Sequence, residues 1–316
     1  MDEKLREKIE DVLSGAKKVV FGQDNMLEAI LAGLICEGHL LIEGMPGLGK
    51  TLSVSTMSRL CDLNFHRVQF TPDLLPTDLI GTMVYNQDKG EFTTKLGPIF
   101  TQILLADEIN RSPAKVQSAL LEAMAEKQVT IGENTHPLTS PFVVLATQNP
   151  IEQEGTYNLP EAQLDRFMMK VSIGYPSFEA EGKILDLKDN PTSALEGILS
   201  TDDLLKLKED VAKVYVDDKI KELIVRIVHA TRPGNKFFQR ENEGAILAGA
   251  SPRACIWLYK ISRFKAYMNN KDFVSPEQVL AIAPDVLGHR MILSYEATID
   301  QIKSEELALK VAQAVI

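Results

Sequence analysis

The chain has 316 residues, of which 45% are apolar and 25% are charged, and its formal net charge is −10. This composition predicts a soluble globular protein with room for two domains, and the acidic balance argues against broad, non-specific binding to nucleic acid. No apolar run approaches the roughly 18 residues needed to cross a bilayer. The charged N-terminus, MDEKLREKIEDVL, has helical spacing and does not fit a signal peptide, so a cytoplasmic protein is expected.

A glycine-rich loop follows the first strand-like segment. His39–Ile42 is typical of a short buried strand and Thr51–Leu60 of a helix. The pattern Gly-x4-Gly-Lys-Thr between them is that of the phosphate-binding P-loop, in which glycines let successive backbone N–H groups turn toward one anion. The lysine would reach the β- and γ-phosphates, and the threonine hydroxyl would ligate Mg²⁺. The alternative is a glycine-rich turn, which the strand–loop–helix context disfavours. The loop residues are Gly44, Met45, Pro46, Gly47, Leu48, Gly49, Lys50 and Thr51.

Two further segments read as β-hairpins. Residues 82–94, TMVYNQDKGEFTT, contain an Asp-Lys-Gly turn, and residues 128–135, QVTIGENT, turn near Gly132. Neither carries the basic and aromatic array that suits single-stranded DNA, because Lys89 in the first and Lys95 just after it are too few. Ordinary surface loops are the alternative for both.

An apolar strand, Ile103–Ala106, runs into two carboxylates, Asp107 and Glu108. In P-loop enzymes an acid at the end of a neighbouring strand holds Mg²⁺ through its water shell, which suits Asp107. The next residue points elsewhere in a strand pleat, so Glu108 would polarise the attacking water. The alternative is two acids placed where a strand meets solvent.

A third buried strand, Pro141–Ala146, leads into Thr-Gln-Asn149-Pro150. An amide at the end of this strand could hydrogen-bond both the γ-phosphate and the attacking water. A turn residue before proline is the alternative for Asn149.

The C-terminal half reads as mainly amphipathic helices. The predicted division falls at Tyr175–Pro176, which gives a nucleotide-binding α/β core over residues 1–175 and a helical lid over residues 176–316. Val211–His229 has apolar residues at helical spacing, and Ser275-Pro-Glu-Gln278 predicts a helix start. Leu187–Gly197 is expected to be a loop.

Arg253 lies at the start of another predicted helix. Ser251 suits the N-cap and Pro252 the first helical position. An arginine in that first turn runs against the helix dipole, which suggests a bound anion nearby. An ordinary exposed arginine is the alternative.

Several motifs together resemble a known family. The segments GMPGLGKT, LLADEINRSP, VVLATQNP and EGTYNLPEAQLDRF occur in the order of an AAA+ ATPase, and YNLPEAQLDRF and GASPRA resemble the MoxR family. The likeness covers nearly the whole chain. It implies a three-layer α/β P-loop AAA+ core with a parallel sheet, followed by an all-α lid domain, and hydrolysis of ATP with Mg²⁺.

The resemblance also implies roles for residues outside the P-loop. Arg166 matches the arginine that reaches into the neighbouring subunit's nucleotide, with a surface salt bridge to Asp165 or Glu161 as the alternative. Arg253 matches the second sensor, which contacts the γ-phosphate from the lid. Gln23 lies in a segment similar to the one that packs beside the adenine, mostly through its backbone. An arginine acting in trans implies a homo-oligomeric ring, and the family likeness indicates a hexamer.

The resemblance leaves several functions open. MoxR-like proteins are associated with maturing other proteins, sometimes by inserting metal cofactors, often beside a partner with a von Willebrand factor A domain. A magnesium-chelatase-like subunit is a neighbouring possibility. A nucleic-acid motor or clamp loader is disfavoured by the acidic charge, and a slow nucleotide-sensing scaffold is disfavoured by the complete set of Glu108, Asn149 and Arg166. In the branch of AAA+ proteins that this chain resembles, both hairpins are inserts that line the pore of the ring.

Overall fold

A computed structural model describes residues 2–88, 90–150, 155–187, 191–235 and 244–316. Backbone contacts divide the chain into two compact units. The larger unit comprises Glu7–Pro160 and Val171–Leu204, and the smaller unit comprises Met1–Arg6, Glu161–Lys170 and Leu205–Ile316. These units do not coincide with the ranges 1–175 and 176–316, which remain a prediction about domains.

The elements are numbered in chain order. The helices are α1 (Glu3–Lys17), α2 (Asp24–Cys36), α3 (Lys50–Leu60), α4 (Pro76–Ile80), α5 (Ala114–Glu126), α6 (Glu161–Leu164), α7 (Phe178–Leu185), α8 (Thr201–Lys213), α9 (Asp218–Ala230), α10 (Pro252–Met268), α11 (Pro276–Leu287), α12 (Tyr295–Ile299) and α13 (Ser304–Ala314). The strands are β1 (Leu40–Glu43), β2 (Phe65–Gln69), β3 (Gly81–Asn86), β4 (Glu91–Leu96), β5 (Ile103–Asp107), β6 (Gln128–Ile131), β7 (Asn134–Pro137), β8 (Val143–Gln148), β9 (Met169–Ser172), β10 (Ile246–Ala248) and β11 (Ile292–Leu293).

A five-stranded sheet with the order β2-β5-β8-β1-β9 organises the larger unit. The pairs β2–β5, β5–β8 and β1–β8 are parallel. Every residue of β5 is buried, as expected for a strand covered on both faces. Helix α2 packs against β1 and β8, and α3 packs against β5. The predicted α/β core with a parallel sheet is confirmed.

The sheet topology brings three predicted motifs to one edge. The P-loop follows β1, the two acids stand at the end of β5, and Asn149 follows β8. Because β5, β8 and β1 are consecutive and parallel in the sheet, their carboxyl ends meet at the same edge. Ligands of open α/β sheets bind at this edge.

A buried histidine fastens β1 to its surroundings. The Nδ1 atom of His39 accepts a hydrogen bond of 3.0 Å from the Val144 backbone N–H, and Nε2 lies 3.3 Å from the Met124 carbonyl oxygen. Since Nδ1 accepts, Nε2 carries the proton and donates a hydrogen bond to the Met124 carbonyl oxygen, so the ring is neutral. Burial lowers the pKa of His39 to about 4. His39 is therefore a structural residue of the core.

Both predicted hairpins are confirmed. Strands β3 and β4 pair antiparallel with Tyr85 opposite Phe92, and β6 and β7 pair with Ile131 opposite Asn134. Gly132 makes the second turn with a φ of 62°. Lys89 of the first turn lies outside the described residues.

The smaller unit is mainly helical. Helix α11 packs against α9, α10 and α13. A two-stranded antiparallel sheet of β10 and β11 accompanies them, so the predicted all-α lid contains a small β element. The predicted helix start at Ser275 is confirmed, because its backbone N–H donates to the Gln278 side-chain oxygen at 2.8 Å. No described helix is long and apolar enough to cross a membrane.

One detail of the sequence interpretation is corrected. Val211–His229 is not one helical segment, because α8 ends at Lys213 and α9 begins at Asp218 after Asp217, whose side chain accepts from the Lys219 N–H and caps the new helix. In α10 the buried residues include Leu258, Ile261 and Phe264, while Ile256 is exposed. The predicted loop Leu187–Gly197 is described except for residues 188–190.

Candidate active site

A polar cleft of about 370 Å³ lies at the carboxyl edge of the sheet in the larger unit. Its walls bring together most of the residues predicted from separate motifs. They are Pro46, Gly47, Gly49, Lys50, Thr51, Leu52, Arg67, Gln69, Asp107, Glu108 and Asn149. The sequence places these residues as far as about 100 positions apart, and the parallel sheet collects them.

The P-loop leaves an open face toward this cleft. Gly47 and Gly49 have φ values of 83° and 79°, in the left-handed region, and a Cβ added at either would meet no atom within 4 Å. At the other end of the loop, a Cβ at Gly44 would lie 2.3 Å from Cγ1 of Ile173. The loop is therefore tight against the protein at Gly44 and open at Gly47 and Gly49, as a phosphate cradle requires.

Lys50 and Thr51 stand in the first turn of α3. The Lys50 ammonium donates to the Gly44 carbonyl oxygen at 2.7 Å, so the side chain folds back along the loop. The N-cap residue is Gly49, which has no side chain that could cap the backbone N–H groups of this turn. The N-terminus of α3 thus directs backbone N–H groups and the positive end of the helix dipole at the cleft.

Thr147 organises the two acids at the end of β5. Its hydroxyl donates to Oδ1 of Asp107 at 2.6 Å and accepts from the Glu108 backbone N–H at 2.9 Å. Asp107 is buried and is the last residue of the strand. The pleat argument for Glu108 is wrong, because this residue lies past the strand with a left-handed φ of 56°. That backbone turn, rather than strand alternation, separates the two carboxylates.

Side chains from β2 and from the turn after β5 hold both acids. Arg67 donates to Oδ2 of Asp107 through Nη2 at 2.6 Å and through Nε at 3.1 Å. Gln69 donates to Oε2 of Glu108 at 2.6 Å, and Arg111 forms a salt bridge with the same oxygen at 3.2 Å. Each carboxylate thus has a defined partner in the cleft.

The oxygen donors of the cleft fit a magnesium ion. Thr51 offers a hydroxyl and Asp107 a carboxylate in the same cleft. No group of three or more His, Cys, Asp or Glu side chains that could hold a metal occurs among the described residues. Mg²⁺ suits this sparse set because it is usually bound by one or two protein oxygens together with phosphates and water.

An apolar recess of about 360 Å³ adjoins the cleft across the P-loop. The two share Pro46, Gly47, Gly49 and Leu52. The recess is further lined by Val19, Val20, Phe21, Gln23, Leu48, Tyr175, Pro176, Glu181, Ile184 and Leu187. A polar cleft and an apolar recess on two sides of one loop match a ligand with phosphates at one end and a flat base at the other.

Gln23 takes part in this recess mainly as a structural residue. It is buried, and its Nε2 donates to the Gly174 carbonyl oxygen at 3.1 Å. Asn149 is also buried and reaches the polar cleft directly after β8. Two loop residues predicted at the site, Gly44 and Met45, are not among the residues that line either cavity.

The two predicted functional arginines belong to the smaller unit. Arg253 follows the N-cap Ser251, whose Oγ accepts from its backbone N–H at 3.1 Å, and its Nη1 donates to Oδ2 of Asp165 at 3.2 Å. Arg166 is half-buried, and its backbone N–H bonds to the Gln163 carbonyl oxygen. The helix start at Ser251 is confirmed, while the contacts of both arginines with nucleotide stay a prediction.

Sequence reasoning missed Arg67, Gln69 and Thr147. A usable signal existed in β2, because FHRVQ places Arg67 and Gln69 two residues apart and therefore on one face of the strand. Thr147 gave no signal beyond its position before Asn149.

Comparisons with known proteins show the family to which the chain belongs. Residues 39–169 match the model of the ATPase family associated with various cellular activities (AAA), and residues 239–310 match the AAA lid domain. Chaperone MoxR1 of Mycobacterium tuberculosis is 47% identical over 97% of this chain and 81% of its own length. The uncharacterised protein YeaC of Bacillus subtilis is 43% identical over 94% of this chain and 91% of its own.

A solved structure extends the agreement to the fold. The crystal structure of a candidate ATPase from Cytophaga hutchinsonii superimposes with a TM-score of 0.93 at 48% identity, covering 99% of this chain and 97% of that one. The α/β sheet and the helical lid thus form the P-loop AAA+ fold of a known enzyme class. The chain belongs to the MoxR family of AAA+ ATPases and is an ATP-hydrolysing enzyme.

Proposed function

We propose that this ATPase is a chaperone-like machine that uses Mg²⁺ and ATP to remodel or mature partner proteins, including the insertion of metal cofactors. The observation that carries the proposal is the convergence of Lys50, Asp107, Glu108 and Asn149 on one cleft beside an apolar recess. A relative that is 47% identical bears the name of a chaperone, which supports the protein-directed part of the function.

The cleft residues divide the work of hydrolysis. The P-loop amides and Lys50 bind the phosphates, and Thr51 and Asp107 would hold Mg²⁺. The metal, when bound, supplies positive charge that offsets charge on the transferring phosphoryl group. Glu108 acts as the base that polarises the attacking water, and Asn149 orients that water. Gln69 and Arg111 hold the Glu108 carboxylate at Oε2, which gives the base a defined position.

The arginines complete the site through assembly. We assign Arg253 to the γ-phosphate of its own subunit and Arg166 to the nucleotide of the neighbouring subunit, in a homo-oligomeric ring that we propose to be a hexamer. A guanidinium that offsets phosphoryl charge in this way is worth orders of magnitude in rate. The partial exposure of both side chains is compatible with contacts to phosphate.

The hairpin of β3 and β4 supports a protein client. Tyr85 and Phe92 form an edge-to-face pair with ring centroids 5.3 Å apart, yet they remain 52% and 65% exposed. Lys95 is the one lysine among the described residues of these two strands, which disfavours nucleic acid as the substrate. We propose that the hairpins face the pore and contact the client, for which a von Willebrand factor A domain protein is the candidate partner.

The first experiment measures Mg²⁺-dependent ATP turnover per protomer against protein concentration, with a sizing column run at the same concentrations. Lys50→Ala is the matched control for contaminating activity. We expect turnover per protomer to rise and then level off as a ring assembles, because each site needs Arg166 of a neighbour. Appreciable turnover from a species that elutes as a monomer would contradict the shared site.

A second measurement tests the chaperone role itself. ATP turnover and the yield of refolded protein from a thermally unfolded model client are followed together, with Glu108→Gln as the control that binds nucleotide without turning it over. We expect the active enzyme, and not the control, to raise the yield of refolded client. Equal yields from both would contradict a function that depends on hydrolysis.

A further inference from the structure

Arg67 lies in the active-site cleft but belongs to none of the motifs that identify the enzyme. It stands on β2, the strand next to β5, with its Cα opposite Leu105. Its side chain is 49% exposed, while the side chain of Asp107, which it contacts, is 12% exposed. Arg67 thus reaches from the solvent side of the cleft to a carboxylate inside it.

Arg67 and Thr147 bind different oxygens of the Asp107 carboxylate. Nη2 and Nε of Arg67 donate to Oδ2 of Asp107 at 2.6 and 3.1 Å, whereas Oδ1 accepts from the Thr147 hydroxyl. Nη2 also donates to the Gln69 side-chain oxygen at 3.0 Å, which fixes the guanidinium. Both oxygens of the proposed metal carboxylate are therefore engaged by protein donors.

The guanidinium of Arg67 and a hydrated Mg²⁺ ion would use the same lone pairs on Oδ2 of Asp107. The water ligands of Mg²⁺ donate hydrogen bonds to a carboxylate, as the guanidinium N–H groups do. Oδ2 cannot serve both at the distances that Arg67 shows. A metal-bound water that donates to Oδ2 must then replace a charge-assisted hydrogen bond that already exists.

We infer that Arg67 is a positioning residue that competes with Mg²⁺ for Oδ2 of Asp107 and is displaced when the metal and nucleotide bind. Before the metal binds, the guanidinium supplies positive charge to the buried carboxylate and holds it at the cleft. The exchange makes metal binding depend on nucleotide phosphates, because these bring the negative charge that draws both Mg²⁺ and the released guanidinium. The inference rests on the proposed metal role of Asp107.

The test measures the Mg²⁺ concentration that half-saturates binding of a fluorescent, non-hydrolysable ATP analogue. Removing the competitor with Arg67→Gln should lower this concentration about two- to fivefold, as expected for a partly exposed ion pair. Arg67→Lys retains the charge and should stay near the wild-type value. Arg226→Gln removes an exposed arginine that pairs with Glu222 on α9 and serves as the matched control.

The melting temperature is a second readout, which does not rely on the fluorescence titration with Mg²⁺. Without metal or nucleotide, Arg67→Gln should melt at a lower temperature than the wild type, because Asp107 loses its partner. With Mg²⁺ and the analogue the two melting temperatures should converge, since the wild type has then lost the same pair. A purely structural role for Arg67 would lower both temperatures equally and would overturn the inference.

Asp107→Asn distinguishes this inference from the function on which it rests. If Asp107→Asn raises the Mg²⁺ requirement while Arg67→Gln leaves it unchanged, the metal site stands and the competition is wrong. If neither variant changes the Mg²⁺ requirement, the metal role of Asp107 is wrong and the inference falls with it.

Discussion

The guanidinium of Arg290 is buried against Asp165, the residue directly before Arg166. Nε of Arg290 donates to Oδ1 of Asp165 at 3.0 Å, and the arginine side chain is 1% exposed. The Nη groups donate to the backbone carbonyl oxygens of Asp165, Phe167, Met168 and Val286. Burial lowers the pKa of Arg290 to about 10, although Asp165 raises it. One cation thus fixes the backbone on both sides of Arg166.

Arg290→Met should destabilise the smaller unit strongly. It leaves Asp165 and several buried carbonyl oxygens without their donor, and breaking a buried pair in this way costs about 3–5 kcal/mol. Urea unfolding followed by the fluorescence of Trp257, the single tryptophan, reports on this unit. Arg226→Met, which breaks an exposed pair with Glu222, should cost less than about 1 kcal/mol. Equal losses in the two variants would contradict an anchoring role for Arg290.

Gly44→Ala should damage the P-loop through packing. The new Cβ would lie 2.3 Å from Cγ1 of Ile173, so the loop or the strand must shift, at a cost of about 1–3 kcal/mol. We expect weaker nucleotide binding together with a lower free energy of unfolding. Gly182→Ala is a control with the opposite sign, because this glycine is exposed within α7, meets nothing within 4 Å and should gain about 0.5–1 kcal/mol. Unchanged nucleotide affinity in Gly44→Ala would show that the loop tolerates the shift.

Glu108→Gln should separate binding from hydrolysis. The amide keeps the size of the side chain but cannot take a proton, so turnover should fall about 10²–10⁴-fold while nucleotide affinity is retained. Steady-state turnover and equilibrium binding of a fluorescent ATP analogue measure the two properties. Glu122→Gln, an exposed acid on α5, is the control and should behave as the wild type. Near-normal turnover in Glu108→Gln would remove Glu108 as the base.

Local patterns in the sequence were sufficient for the P-loop and the strands that carry it. Gly47 and Gly49 have left-handed φ values that restrict the residue type, and β1, β5 and β8 each begin with a continuous apolar run. Because such constraints act over a few consecutive residues, they can be recognised in a single sequence. The same holds for the helix starts at Ser251 and Ser275, where the capping side chain and the capped N–H are neighbours.

Contacts between segments that are far apart in the chain could not be predicted from local patterns in the same way. The Arg67–Asp107 pair joins residues 40 positions apart on strands whose neighbour relation follows only from the sheet order. Arg290 bonds Asp165 across 125 positions, and no helix or strand pattern around Arg290 indicates this partner. The break between α8 and α9 was also missed, because apolar spacing continued through it while Asp217 started a new helix.

Arg166→Ala should lose turnover, by about 10³-fold or more, while each protomer keeps its nucleotide affinity. The reason is that the proposed partner of this arginine is the nucleotide of the neighbouring subunit. Mixing Arg166→Ala with Lys50→Ala should restore some turnover, since a composite site can combine an intact P-loop from one variant with an intact Arg166 from the other. Turnover is measured over a series of mixing ratios at constant total protein. No recovery at any ratio would count against an arginine acting in trans.

His39 should make the stability of the larger unit sensitive to acid. Its pKa is lowered from 6.5 to about 4 by burial, so the unfolded chain binds a proton between these values that the folded chain does not. The stability that the neutral ring provides is therefore complete above pH 6.5 and is lost as the pH falls toward 4. Linkage gives a loss of about 2 kcal/mol between pH 7 and pH 5 from this residue.

His39→Asn isolates that contribution. The variant has no group that titrates at this position, so the difference in its free energy of unfolding between pH 7 and pH 5 should be about 2 kcal/mol smaller than in the wild type. The comparison holds even though the variant loses the hydrogen bonds to Val144 and Met124 at both pH values. Circular dichroism during urea unfolding provides the measurement, and His66→Asn, at an exposed histidine on β2, is the control. An equal loss on acidification in the wild type and His39→Asn would mean that other groups, rather than His39, govern the response to acid.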